Sequence, residues 1–233
     1  MKAGFGFHDI TPEIGMYTEL FQKLSVDKIV TPLLVKVCIL EGENPYASSV
    51  LVSADVMDFF TDSISDIRDI ISNATGIPEK NIFLNSSHTH SAPYIYPKAN
   101  RYLEKWNTGF LSEGYYESLL RAVQKSTVQA IENKEEIVLK HSRGYVSGVG
   151  CNRRVKLNDG SIGIRYGRNV PGELRDYPDG LIDPYAECLW FEKMNGELKG
   201  AYINYACHGT SYNQVSEICW DFMGFARKKV EDT

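Results

Sequence analysis

The 233-residue chain contains no run approaching the ~20 consecutive apolar residues that a membrane-spanning helix requires. Its opening residues, Met1 to Phe7, have neither the apolar core nor the length of a secretory leader. A soluble, cytoplasmic protein with no transmembrane segment is therefore expected. Basic excess is missing as well: 25 Lys and Arg stand against 30 Asp and Glu, a formal net charge of -5. That balance offers no electrostatic footprint for nucleic acid or an anionic membrane surface, and no nucleic-acid partner is expected. Cysteine pairing signals are absent too. Cys38, Cys151, Cys188, Cys207 and Cys219 are odd in number and show no C-x-x-C spacing, which favours free thiols over a disulfide framework or a zinc ribbon. With no internal repeat, low-complexity tract or linker, residues 1–233 read as a single domain able to bury a substantial core.

What the sequence does contain is a set of alternating strand and helix patterns. Leu33 to Leu40 and Ser49 to Ala54 are β-branched and apolar, with the turn Glu41-Gly42-Glu43-Asn44-Pro45 between them, and predict an antiparallel hairpin. Ile64, Ile67, Ile70, Ile71 and Ala74 follow at helical spacing, with Thr61, Asp62 and Ser63 able to cap the start and Gly76-Ile77-Pro78 to end it. The helix delivers a strand over Ile82 to Asn85, so strand, helix and strand form a βαβ unit with parallel strands. A second helix is expected from about Glu113 to Asn133, a strand from Ile137 to Val146, and a hairpin from Tyr185 to Ala206 turning at Asn195-Gly196. A last helix runs from Trp220 to Val230. The segment from Pro12 to Thr31 and the Gly- and Asp-rich connection from Asn158 to Gly180 read as irregular, while the aromatic stretch from Tyr94 to Gly114, without a clear period, reads as a loop or short helix flanking the site. Gly148-Val149-Gly150 has no helix after it and is set aside as a phosphate loop. The expected fold class is α/β: a mixed sheet with helices packed on it, one βαβ unit and two antiparallel hairpins.

Polar residues collect at the ends of these strands. Asn85-Ser86-Ser87-His88-Thr89-His90-Ser91-Ala92-Pro93 follows the apolar run Ile82-Phe83-Leu84, and in extended backbone the rings of His88 and His90 would point to one side. Taken alone, such a pair is more often hydrogen-bonded loop histidine than a metal site. Asp55 ends the preceding strand and His208 ends the last one, and strand ends of α/β sheets are where binding sites gather. Histidines with a carboxylate nearby suit zinc, which takes both ligand types and keeps a position open for water when catalytic.

Ser87-His88-Thr89-His90-Ser91-Ala92-Pro93 resembles a histidine motif of the neutral, non-lysosomal ceramidases, and Asn204-Tyr205-Ala206-Cys207-His208-Gly209-Thr210-Ser211 resembles their second one. Gly4-Phe5-Gly6 with Asp9-Ile10-Thr11-Pro12, the pair Asn152-Arg153, and Asp221-Phe222-Met223-Gly224-Phe225-Ala226 are supporting matches in the same order. The resemblance implies a zinc-dependent amidohydrolase that cleaves the N-acyl amide of a lipid such as ceramide. By it, His88 and His208 would be zinc ligands, His90 would contact the scissile group, and Arg153 would bind substrate or oxyanion. Asp55 and Asp221 are expected to support or cap. The resemblance also implies further zinc-site residues beyond Thr233. The chain then reads as an N-terminal portion of a catalytic domain, cut short at its C-terminus, that holds zinc weakly and acts only when the rest is restored. The alternative is a non-enzymatic binding or assembly module that keeps the fold and forms a homo-oligomer. An eight-stranded amidohydrolase barrel is a poor match because the βα repeats are too few.

Overall fold

The computed structural model describes residues 1–18, 24–95, 114–165, 172–178, 180–212 and 215–232. They pack as two compact units, the first from Met1–Val138 and Gly209–Thr233, the second from Leu139–His208. In chain order the first unit holds β1 (Lys2–Asp9), β2 (Tyr17–Thr18), β3 (Leu24–Ser25), β4 (Lys28–Ile29), β5 (Leu34–Glu41), β6 (Ser49–Ala54), α1 (Thr61–Thr75), β7 (Ile82–Ser86) and α2 (Tyr115–Glu132). β8 (Glu135–Tyr145) then leads into the second unit, which holds β9 (Arg154–Lys156), β10 (Ile162–Ile164), α3 (Gly172–Arg175), β11 (Tyr185–Lys193) and β12 (Leu198–Tyr205). The chain re-enters the first unit for β13 (Glu217–Ile218) and α4 (Asp221–Glu231).

The expected α/β class holds. β5 and β6 form the antiparallel hairpin, with Val37 opposite Val52 and Cys38 opposite Leu51. β6 and β7 are parallel, Val52 opposite Leu84, as a βαβ unit requires. In the second unit β11 and β12 pair antiparallel through a turn at Gly196, whose φ of 89° is the left-handed geometry that Asn-Gly turns adopt.

Strand alternation divides the first unit's sheet into two faces. Val35, Val37, Ile39, Val50, Val52, Ala54 and Ile82 face α1 and α2 and make the core with Ile67, Ile71, Leu119 and Val123. On the other face a row runs Phe5, Cys38, Leu51, Phe83 across four strands, with Phe83 56% exposed. α1 ends at Gly76, whose φ is 71°, as expected. Its start is secured by Ser63 from within the first turn, whose hydroxyl accepts from the Phe60 N–H at 2.8 Å.

Two parts of the architecture differ from the sequence expectation. β1 was not expected, yet it is an eight-residue strand fully paired with β5. Gly4 and Gly6 occupy the helix-facing positions where apolar side chains would have signalled a strand. A Cβ at Gly4 would overlap the carbonyl oxygen of Ala130, and one at Gly6 that of Ser126, so these glycines let α2 lie directly on the strand. Beyond Ala3, where pairing with β8 ends, α2 takes over: Asn133 Oδ1 accepts from Phe5 N–H at 2.9 Å and Gln129 Oε1 from Phe7 N–H at 2.9 Å. The connection from Asn158 to Gly180 also has structure, since it contains β10, which pairs antiparallel with β9 just before it, Val155 opposite Gly163. Of the aromatic stretch expected to be a loop or short helix, residues 96–113 lie outside the described residues.

Candidate metal centre

β6 and β7 are adjacent and parallel, so the residues that leave their C-terminal ends must run side by side. Ser87 N–H donates to the Ala54 carbonyl at 2.9 Å and His88 N–H to the Val56 carbonyl at 3.1 Å, which carries the ladder two residues past the strand end. His88 then departs from the expected extended backbone. Its φ is 59°, in the left-handed region that non-glycine residues seldom adopt and that concentrates at functional sites. The His88 and His90 rings therefore meet through a backbone reversal and not through strand alternation. They stand edge to face, centroids 5.1 Å apart and planes at 89°.

The next residues are held from below. Thr89 and Ser91 are fully buried. Thr89 Oγ1 donates to the Cys219 carbonyl at 2.8 Å, Ser91 Oγ donates to the Glu217 carbonyl, and Cys219 N–H reaches the Ser91 carbonyl. These bonds fix the backbone on either side of His90.

The tautomer of His88 is set locally. Its Nδ1 lies 2.7 Å from the Met57 carbonyl, an acceptor only, so Nδ1 carries the proton and Nε2 carries the lone pair. Asp58 Oδ1 lies 3.3 Å from the same Nδ1. Metal-bound histidines characteristically make such a bond from the nitrogen that does not ligate.

His208 closes the second unit, and the residue after it, Gly209, is already seated in the first. A Cβ there would meet the Met223 side chain and come within 3.4 Å of the His88 carbonyl oxygen. One ligand atom from each of His88, His90 and His208 lies within 4.8 Å of the other two. Imidazole nitrogens at that mutual spacing suit a transition-metal ion such as zinc.

The remaining residues singled out from sequence take other places. Asp55 is buried, accepting from Leu34 N–H at 3.0 Å and pairing with Arg227 at 3.1 Å, so it locks the end of β6 to β5 and α4. Asp221, also buried, has a φ of 54° and accepts from Tyr212 N–H at 3.0 Å and Phe222 N–H at 2.6 Å, which ties the chain after His208 to the start of α4. Arg153 belongs to the second unit, where its carbonyl accepts from Arg165 N–H at 2.7 Å beside the β9–β10 hairpin. Met57 and Asp58 were missed. The βαβ reading contained the signal, because residues just past β6 necessarily flank residues just past β7.

The fold and the histidine cluster define an α/β protein with a candidate metal centre beyond the ends of two parallel strands. Residues 2–233 match the family model described as neutral/alkaline non-lysosomal ceramidase, N-terminal, and the chain belongs to that family. It is 27% identical over 224 residues to the neutral ceramidase of Pseudomonas aeruginosa, covering 93% of this chain and 31% of that protein. Neutral ceramidase B of Dictyostelium discoideum is 26% identical over 182 residues, 76% of this chain and 24% of that protein. The crystal structure of the Pseudomonas aeruginosa neutral ceramidase superposes with a TM-score of 0.72 at 21% identity, over 97% of this chain and 35% of that one. A structure described as ceramidase complexed with C2 gives a TM-score of 0.73 at 20% identity. The two structural matches establish the fold. The chain spans between a quarter and a third of the length of the curated relatives it matches.

Proposed function

We propose that the chain carries the histidine part of a zinc-dependent hydrolase centre that cleaves the N-acyl amide of a ceramide-like lipid. The observation that carries this reading is the convergence of His88, His90 and His208 within 4.8 Å, on stretches that resemble the two histidine motifs of the family. Zinc fits the donor set, because His88 offers Nε2 with Nδ1 tied to the Met57 carbonyl. When bound, zinc supplies Lewis acidity, polarising an amide carbonyl and making water nucleophilic near neutral pH.

In this reading His88 and His208 hold the ion. His90, set at 89° to His88, faces the scissile group and donates a hydrogen bond to its oxygen. Arg153 keeps the substrate- or oxyanion-binding role that the family resemblance assigns to it. Asp55 and Asp221 act on the site through backbone, fixing the corner after β6 and the chain after His208.

The test is hydrolysis of an N-acyl sphingosine in the presence of zinc. It is run with the chain alone and with the chain joined to the part of the Pseudomonas aeruginosa relative that it does not span. Fatty acid release from either form, abolished by chelation and by His88→Ala, is expected. No release from either form overturns the reading.

A second reading, an assembly module, is favoured by the sheet face turned away from α1 and α2, where Phe7 and Phe83 are each 56% exposed. It requires concentration-dependent self-association that Phe83→Ser weakens. A monomer at all concentrations in sedimentation excludes it.

A further inference from the structure

His88 is held at two of its atoms by one short stretch of chain, the corner from Val56 to Asp58. Its N–H donates to the Val56 carbonyl at 3.1 Å, its Nδ1 lies 2.7 Å from the Met57 carbonyl, and Asp58 Oδ1 lies 3.3 Å from the same nitrogen. The corner itself is anchored, because Asp55 just before it is bound to the Leu34 N–H and to Arg227. A residue with φ at 59° persists only where its surroundings over-determine it, and these contacts supply that determination.

We propose that Asp58 is the positioning residue of the metal centre: with the Met57 carbonyl it holds the proton of His88 on Nδ1 and aims the Nε2 lone pair at the ion. The proposal rests on the zinc reading above. Two acceptors on one imidazole nitrogen have distinct uses. The Met57 carbonyl, at the shorter distance, fixes the tautomer, while the Asp58 carboxylate adds negative charge and restrains rotation of the ring. Neither group touches the ion. Asp58 therefore acts through His88, and its removal lowers metal affinity without removing a ligand.

The experiment measures zinc affinity by competition with a chromophoric chelator in the wild type, Asp58→Asn, Asp58→Ala and His88→Ala, with circular dichroism to confirm that each folds. Loss of a group that orients a ligand from behind typically weakens metal affinity about 10- to 100-fold, and that is expected for Asp58→Ala. Asp58→Asn keeps an acceptor and restores part of the affinity. A folded Asp58→Ala with wild-type affinity overturns the proposal. Should His88→Ala bind zinc as the wild type does, the zinc reading itself fails, a distinct result. Nitrogen-detected NMR of the zinc-free protein gives a second readout. His88 is expected to carry its proton on Nδ1, and a proton on Nε2 overturns the assignment whatever zinc does.

Discussion

Arg227 on α4 reaches the carboxylate of Asp55 at 3.1 Å, and Asp55 is 1% exposed at the end of β6. This pair links the last helix to the strand end from which the His88 socket hangs. Arg227 also stacks over the Trp220 ring at 4.9 Å, which fixes the guanidinium in place. Replacing Arg227 with Ala leaves a buried carboxylate that still accepts from the Leu34 backbone N–H. Stripping one partner from a buried ion pair costs on the order of 3 kcal/mol, here lowered by the partial exposure of Arg227. Urea unfolding of Arg227→Ala should show that loss, and Asp55→Asn in the same background should recover part of it.

Gly4 and Gly6 are where β1 and α2 touch. An alanine at either position drives its Cβ into the carbonyl oxygen of Ala130 or Ser126, which are backbone atoms and yield little. Overpacking of this kind costs about 1–3 kcal/mol, and backbone obstruction puts these sites at the upper end. Thermal unfolding of Gly4→Ala and Gly6→Ala should show a lower midpoint than Gly144→Ala, where a Cβ meets open space.

Tyr115, buried at the start of α2, donates its hydroxyl to the Ile10 carbonyl at 2.7 Å. Burial pushes its phenol well above the ordinary value of 10.0, and the nearby Asp55 and Asp9 carboxylates push the same way. The folded state therefore keeps this proton at pH values where the unfolded chain has lost it. The contribution is fully present below about pH 10 and declines as pH rises, by about 1.4 kcal/mol per pH unit for one group. Urea unfolding between about pH 9 and 11 should show this slope, and Tyr115→Phe should flatten it.

Much of the scaffold was legible because its signals are periodic and local. The isoleucines of α1, the β-branched runs of β5 and β6 and the Asn195-Gly196 turn each specify their element without help from the rest of the chain. β1 was hidden by the feature that makes it useful, since glycines at its helix-facing positions erase the apolar alternation. The site divides in the same way. That His88 and His208 belong together could be read from their motifs, whereas the positive φ of His88 follows from tertiary bonds to Val56 and Met57 that no local pattern encodes. Asp58 lay between these cases. Its neighbourhood followed from parallel pairing of β6 and β7, but its reach to Nδ1 depends on that backbone reversal.

Zinc binding by the histidine variants tests the central claim most directly. Equilibrium titration of the purified chain should show one zinc site that His88→Ala and His208→Ala each abolish. His90→Ala should retain the site, because His90 is assigned to the substrate. Loss of zinc in His90→Ala to the same extent would move that residue into the ligand set. Zinc binding that survives both His88→Ala and His208→Ala would contradict the account.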